Sequence, residues 1–157
     1  MRFVIQRTTG ARVTVDGETT GEIEKGLVIL VGVTHDDEQA DIDYLVNKTI
    51  NLRIFSAVDG TSGFDLSLLD VSGSVLLISQ FTLFADTRKG RRPGFTASAP
   101  GDVASPIFDD VAKSFEDAGV GVQLGVFGAM MNVELVNEGP ATFLLDSTDR
   151  HRSRRRG

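Results

Sequence analysis

Leu27-Val28-Ile29-Leu30-Val31-Gly32-Val33 carries no polar side chain over seven consecutive residues. Successive side chains of a strand point to opposite faces, so a strand of this composition has to be covered on both sides. It is therefore expected at the centre of a sheet, with packed layers above and below it. The apolar run from Gly26 to Val33 is also far shorter than the roughly 20 residues a membrane-spanning helix needs. A chain of 157 residues is long enough to build one such core, and no internal repeat or second domain is visible.

Around this strand the sequence predicts an α+β fold. Arg2-Phe3-Val4-Ile5-Gln6-Arg7 and Ala11-Arg12-Val13-Thr14-Val15 read as two strands broken near Thr9-Gly10. Asp16-Gly17 is a hairpin turn signal and Gly21-Glu22-Ile23 the return strand. Asp36-Asp37 is expected to cap a helix whose inward positions are Ile42, Leu45, Val46, Thr49 and Ile50. A loop is marked by Asp59-Gly60 and Ser62-Gly63, and Ser74 to Phe81 forms a second buried strand. Residues 86–101 show no periodicity and are expected to form a long loop. Ser105-Pro106 is read as the start of a second helix, packed through Ile107, Phe108, Val111, Ala112 and Phe115 and ended by Gly119. Val120 to Gln123, Met131 to Val136 and Ala141 to Leu145 supply the last strands. The expected architecture is an antiparallel or mixed β-sheet curled into a barrel-like core with two main helices.

The chemistry open to this chain is narrow. With no cysteine, it has no disulfide, thiolate nucleophile or zinc–sulfur site. Its two histidines, His35 and His151, are far apart and belong to no metal-ligand spacing, so no metal is expected and a Ser-His-Asp triad lacks a well-placed base. His35 reads as a polar loop residue and His151 as part of a basic tail. Residues 1–7 include no signal-peptide core, and a cytoplasmic location is the default expectation. The net charge of −6 hides an asymmetry: Arg150, Arg152, Arg154, Arg155 and Arg156 leave 11 basic against 22 acidic residues in the first 149. An acidic body argues against indiscriminate nucleic-acid binding while leaving room for one local basic site.

Three segments stand out. Ser79-Gln80-Phe81-Thr82-Leu83 brings hydroxyl, amide and backbone donors to the end of a buried strand, either as a ligand site or as the polar face of that strand. Arg88, Lys89, Arg91 and Arg92 place four cations in five residues, either as a solvated charge run or as a site for phosphates. Asn137-Glu138-Gly139-Pro140-Ala141-Thr142 reads as a Gly-Pro turn between two strands, with an isomer the sequence does not reveal.

Taken together these segments resemble the D-aminoacyl-tRNA deacylases. The resemblance covers residues 1–146 and includes Ile5-Gln6-Arg7, Gly21-Glu22-Ile23, Gly26-Leu27, Arg53-Ile54-Phe55, Ala85-Asp86, Arg92-Pro93 and Phe127-Gly128-Ala129-Met130. Its specific part is Ser79-Gln80-Phe81-Thr82 followed some sixty residues later by Asn137-x-Gly139-Pro140-x-Thr142. The tail from Ser147 to Gly157 lies beyond the family's usual end and is expected to be basic and flexible. Gly94 stands where the family usually has Ser, which implies the absence of a polar interaction there and a looser loop.

The resemblance implies hydrolysis of the ester between a D-amino acid and the terminal adenosine of tRNA, with glycyl-tRNA partly accepted and no cofactor. It implies a homodimer in which the Gly139–Pro140 element, cis at its peptide bond, enters the partner's pocket and captures the α-ammonium group through its carbonyls. L-amino acids are rejected by a clash, which lets one pocket serve many D side chains. Backbone amides near Phe81 and Thr82, with Gln80, are implied as an oxyanion hole, and the substrate's own 2′-hydroxyl as an aid to the attacking water. Thr82 is then a positioning hydroxyl or, in the older view, a nucleophile for which no base is evident. Ser79, Phe95, Met130 and Arg7 are implied around the substrate: Phe95 on the terminal adenine or in the core, Met130 in the pocket or the core, Arg7 bracing the Gly-Pro element. Two rivals remain, a non-enzymatic RNA-binding module and a small-molecule esterase using Thr82 or Ser79.

Overall fold

A computed structural model of the protein describes residues 1–57, 60 and 63–152. Asp59 and Ser62 of the expected loop, and Arg154, Arg155 and Arg156 of the tail, lie outside the described residues. The elements in chain order are β1 (Arg2–Val15), β2 (Glu18–Ile23), β3 (Gly26–Gly32), α1 (Gln39–Asn51), β4 (Ser74–Ser79), α2 (Gly101–Asp117), β5 (Gly121–Leu124) and β6 (Asn132–Asp146). They form the mixed sheet and two helices that the sequence predicts, with the strand order β2-β1-β3-β4-β5 and β6 paired to the other edge of β1. The β1 pairings are antiparallel, whereas β3–β4 and β4–β5 are parallel.

The apolar strand β3 behaves as its composition demands. Leu27, Ile29 and Val31 join the core under the helices, with Phe3, Ile5, Leu45, Val111 and Phe115. Val28 turns to a second, smaller core enclosed by the curled sheet, with Val13, Ile23, Leu76 and Ile78. The sheet curls far enough for β2 to approach β5: a Cβ on Gly21 would lie 2.7 Å from the Leu124 carbonyl oxygen, so glycine permits the near-closure.

Several boundaries differ from the sequence reading. The first two strands are one, β1, and Thr9-Gly10 marks a change of partner. Residues 2–8 pair with β3 and residues 11–15 with β2. Thr8 secures the switch, its Oγ1 donating to the Gly10 carbonyl at 2.6 Å and accepting from the Gly10 amide at 3.0 Å. Helix α1 is capped by Glu38 instead of Asp36-Asp37, because Asp37 is already engaged by the Thr34 amide at 2.7 Å and by the Met1 ammonium. Helix α2 starts at Gly101 with Pro100 as its cap, so Pro106 lies inside it. The proline has no N–H to give to the Asp102 carbonyl, and Asp102 is exposed, so water can take its place. Strand β6 runs unbroken through Gly139 and Pro140, where a single strand replaces the expected two strands and turn.

Residues Ser147–His151, assigned above to the tail, form a 3-10 turn capped by Asp146. Ser147 Oγ accepts from the Met1 ammonium at 2.9 Å, and Arg150 pairs with Glu38 at 2.8 Å and Asp41 at 3.1 Å. Burial works to raise the Asp41 pKa, but hydrogen bonds from Glu38 and Ser147 and the charge of Arg150 hold it below the usual carboxylate range. No helix among the described residues is long and apolar enough to cross a membrane.

Candidate active site

Strand β4 ends at Ser79, two residues before the sequence reading ends it, and Gln80 makes a last ladder bond to the Val31 carbonyl at 2.8 Å. The chain then folds over the end of β3 as a 3-10 turn, Phe81–Phe84. Gly32 permits this, since a Cβ there would lie 2.9 Å from Leu83 Cβ. From the other side, Arg2 Nη1 donates to the Leu83 carbonyl at 3.0 Å and its guanidinium lies 4.6 Å from the Phe84 ring centre. Arg2 is itself fixed by Asp146 at 2.8 Å. Burial tends to raise the Asp146 pKa, but hydrogen bonds from Arg2 and Thr148 bring it down to about 2.

The turn opens with donors to spare. The first amides of any helical turn have no partner inside it, and those of Phe81 and Thr82 have no acceptor among the described residues. Gln80 Nε2 donates to Thr82 Oγ1, which orients both side chains beside those amides. Ser79, Gln80 and Phe81 line a cleft of about 790 Å³, together with His35, Phe95, Phe127 and Met130. Thr82 is exposed and lies outside that lining. Phe81 and Phe95 meet edge to face, centroids 4.9 Å apart, and both keep exposed surface. Met130 is 91% exposed. Neither Phe95 nor Met130 is a core residue, which removes one of the two alternatives for each.

The basic segment projects beside the cleft. Asp86 and Gly94 exchange backbone hydrogen bonds of 2.7 and 2.8 Å that close the base of the loop. Arg88 is engaged by Asp86 through a fork of 2.7 and 2.9 Å, which lowers the Asp86 pKa. Lys89, Arg91 and Arg92 are exposed and have no acidic partner among the described residues.

Arg7, Gly139 and Pro140 gather elsewhere. Arg7 is buried, and its guanidinium donates to the carbonyls of Ile54 at 2.6 Å, Gly63 at 2.8 Å and Glu138 at 3.1 Å. The Glu138 carboxylate adds an ion pair at 3.4 Å. Between Gln6↔Thr142 and Thr8↔Asn137 the β1–β6 register shifts, so residues 138–141 bulge from the ladder. The Gly139–Pro140 peptide is cis and both residues are exposed. Arg7 pairs with Leu27 and Ser79 with Val31. Four residues along β3 correspond to about 13 Å, so the chain does not bring its Gly-Pro element to its own Ser79.

Sequence reasoning missed Arg2, which acts on a turn 81 residues away, and Ser98, hidden in an aperiodic loop. His35, read as a plain loop residue, does line the cleft, with Nε2 3.0 Å from the Thr96 carbonyl oxygen. Among the described residues no group of three or more His, Asp or Glu is placed to hold a metal ion.

This arrangement has known counterparts. The family model described as D-Tyr-tRNA(Tyr) deacylase matches residues 4–146, nearly the whole chain. The chain belongs to that family. Among curated deacylases, the D-aminoacyl-tRNA deacylase of Clostridioides difficile is 50% identical over 148 residues, covering 94% of this chain and 98% of its own. That of Chloroflexus aurantiacus is 52% identical over 157 residues, covering 100% and 97%. Among solved structures, one titled "c-Myc DNA Unwinding Element Binding Protein" superposes with a TM-score of 0.86 at 33% identity, covering 93% of this chain and 98% of that one. A probable eukaryotic D-amino acid tRNA deacylase shares the fold at 16% identity and a TM-score of 0.79, covering 92% and 97%. The deacylase relatives therefore span both ends of the cleft and the Gly-Pro bulge.

Proposed function

We propose that this chain hydrolyses the ester of D-aminoacyl-tRNA and that the free amides of Phe81 and Thr82 carry the catalysis. Water adds to the ester carbonyl, and the oxygen that becomes negative is received by these two amides and the Gln80 side chain. Collapse of the tetrahedral species breaks the bond to the ribose 3′-oxygen, which takes up the proton released by the water. The neighbouring 2′-hydroxyl relays that proton, so no protein base is required. An aminoacyl ester is already reactive, and one preorganised donor contributes about 3–4 kcal/mol to such a step. Thr82 serves as a positioning hydroxyl, since Gln80 is its hydrogen-bond partner among the described residues.

The chirality filter is the Gly139–Pro140 element of a second copy. Its distance from its own Ser79 supports this, as does the exposed apolar surface of Val136 and Leu144 on the same strand, 62% and 65% exposed. Arg7 braces the element through the Glu138 carbonyl. The bulge admits the α-ammonium group, excludes an L side chain and leaves a D side chain toward solvent. Glycine, with no side chain to clash, is partly accepted. Phe95 packs on the terminal adenine beside Phe81, with Ser79 and Met130 along the same cleft. Arg88, Lys89, Arg91 and Arg92 meet acceptor-stem phosphates, and a cytoplasmic location follows from a tRNA substrate. The experiment is to offer D-Tyr-tRNA and L-Tyr-tRNA side by side: release of D-tyrosine alone is expected, and equal hydrolysis of both, or of neither, rejects the reading.

A further inference from the structure

We propose that Ser98 is a positioning residue that aims the Thr82 amide, an inference resting on the oxyanion role given to that amide above. Ser98 lies where the basic loop returns to the sheet and is 9% exposed. Its Oγ donates to the Phe81 carbonyl oxygen at 2.7 Å. That carbonyl and the Thr82 N–H are the two ends of one planar, trans peptide unit and point in opposite directions. Fixing the oxygen therefore fixes the line along which the Thr82 N–H faces out. A donor on the carbonyl also polarises the same peptide, which makes its N–H a stronger donor.

Ser98 is itself held on the opposite sides. It forms a bridge with Thr34 at the end of β3, its amide donates to the Phe95 carbonyl at 3.0 Å, and the adjoining Ala99 amide donates to Val33 at 3.0 Å. Its hydroxyl thus refers the turn to the central strand and, through Phe95, to the aromatic pair at the cleft. None of these interactions involves the substrate, so the residue acts through the peptide it holds.

The test compares wild type, Ser98→Ala and Ser98→Thr on D-Tyr-tRNA and on the short ester D-tyrosyl-adenosine, with the 15N-resolved Thr82 amide resonance as a second readout. Ser98→Ala is expected to lower kcat about tenfold on both esters, the scale of one hydrogen bond, with KM within about twofold. The Thr82 resonance should shift, and Ser98→Thr should restore both rate and resonance. An unchanged kcat with an unmoved Thr82 resonance would overturn the inference. So would an effect confined to KM or to the tRNA substrate, because that marks a loop anchor instead. A wild-type chain that cleaves neither ester overturns the deacylase reading along with it.

Discussion

The guanidinium of Arg7 occupies the space that any side chain at position 139 would need. A Cβ built on Gly139 would lie 2.6 Å from Arg7 Nη2, and Gly139 has a φ of +121°, where L side chains are strained. Two independent constraints, one of space and one of backbone, therefore demand glycine. Gly139→Ala is expected to cost about 1–3 kcal/mol of stability, measured by urea unfolding, and to lower kcat/KM on D-Tyr-tRNA at least about tenfold. An alanine variant with wild-type values in both would contradict the fit.

Arg7 itself holds three carbonyls and a carboxylate from three separate segments. Arg7→Ala leaves the buried Ile54 carbonyl unpartnered and should cost about 2–4 kcal/mol. Lysine lacks the fork and cannot reach all three acceptors, so Arg7→Lys should recover only part of that stability. Paired unfolding curves and initial rates decide the order wild type, Lys, Ala.

Acid should act on Asp146. Its folded pKa, about 2, lies below the unfolded carboxylate value of about 3.9. A depressed carboxylate stabilises the fold above its unfolded pKa, and the contribution disappears as pH falls through the folded value. Stability should therefore drop between about pH 4 and pH 2, and Asp146→Asn should flatten that part of the curve. The pair is partly open to solvent, so added salt should shrink the effect.

The basic loop is expected to serve the tRNA body and not the ester. Replacing Lys89, Arg91 and Arg92 by alanine should raise KM for D-Tyr-tRNA. The slope of log kcat/KM against log salt should fall by up to about 0.9 for each phosphate that is no longer neutralised. Turnover of D-tyrosyl-adenosine should stay within about twofold. A salt slope identical to that of the wild type would assign these cations to solvent.

Thr82→Ala separates a positioning hydroxyl from a nucleophile. A positioning role predicts a rate within about tenfold of wild type, the scale of one hydrogen bond. A nucleophile predicts near-complete loss, with an acyl-enzyme trapped in a rapid-quench assay of the wild type and lacking in the variant.

The parts legible in the sequence were those with a local signature. The all-apolar β3, the hairpin at Asp16-Gly17 and the inward face of α2 follow from periodicity and turn chemistry, and the Ser79–Thr82 and Gly139–Pro140 segments are read from their motifs. What local pattern hides is competition for partners. Asp37 resembles a helix cap until the Thr34 amide and the Met1 ammonium claim it. Thr9-Gly10 resembles a break because a strand that changes partner needs the same irregularity as one that stops. Pro106 resembles a first turn because nothing in the sequence announces that Gly101 to Ala104 precede it in the same helix. Arg2 and Ser98 act across the fold on one short turn, and no spacing records that.

Arg2 ties the turn bearing Phe81 and Thr82 to Asp146, the final residue of β6, while β1 and β6 pair along almost their whole length. Pairing between strands so distant in the chain is slow to form and comes late. On a translating ribosome Arg2 thus lacks its Asp146 clamp until residue 146 has left the exit tunnel. A chain ending before residue 146 would keep the turn's bonds to Val31 and Ser98 and leave the Arg2 guanidinium on Leu83 without its carboxylate.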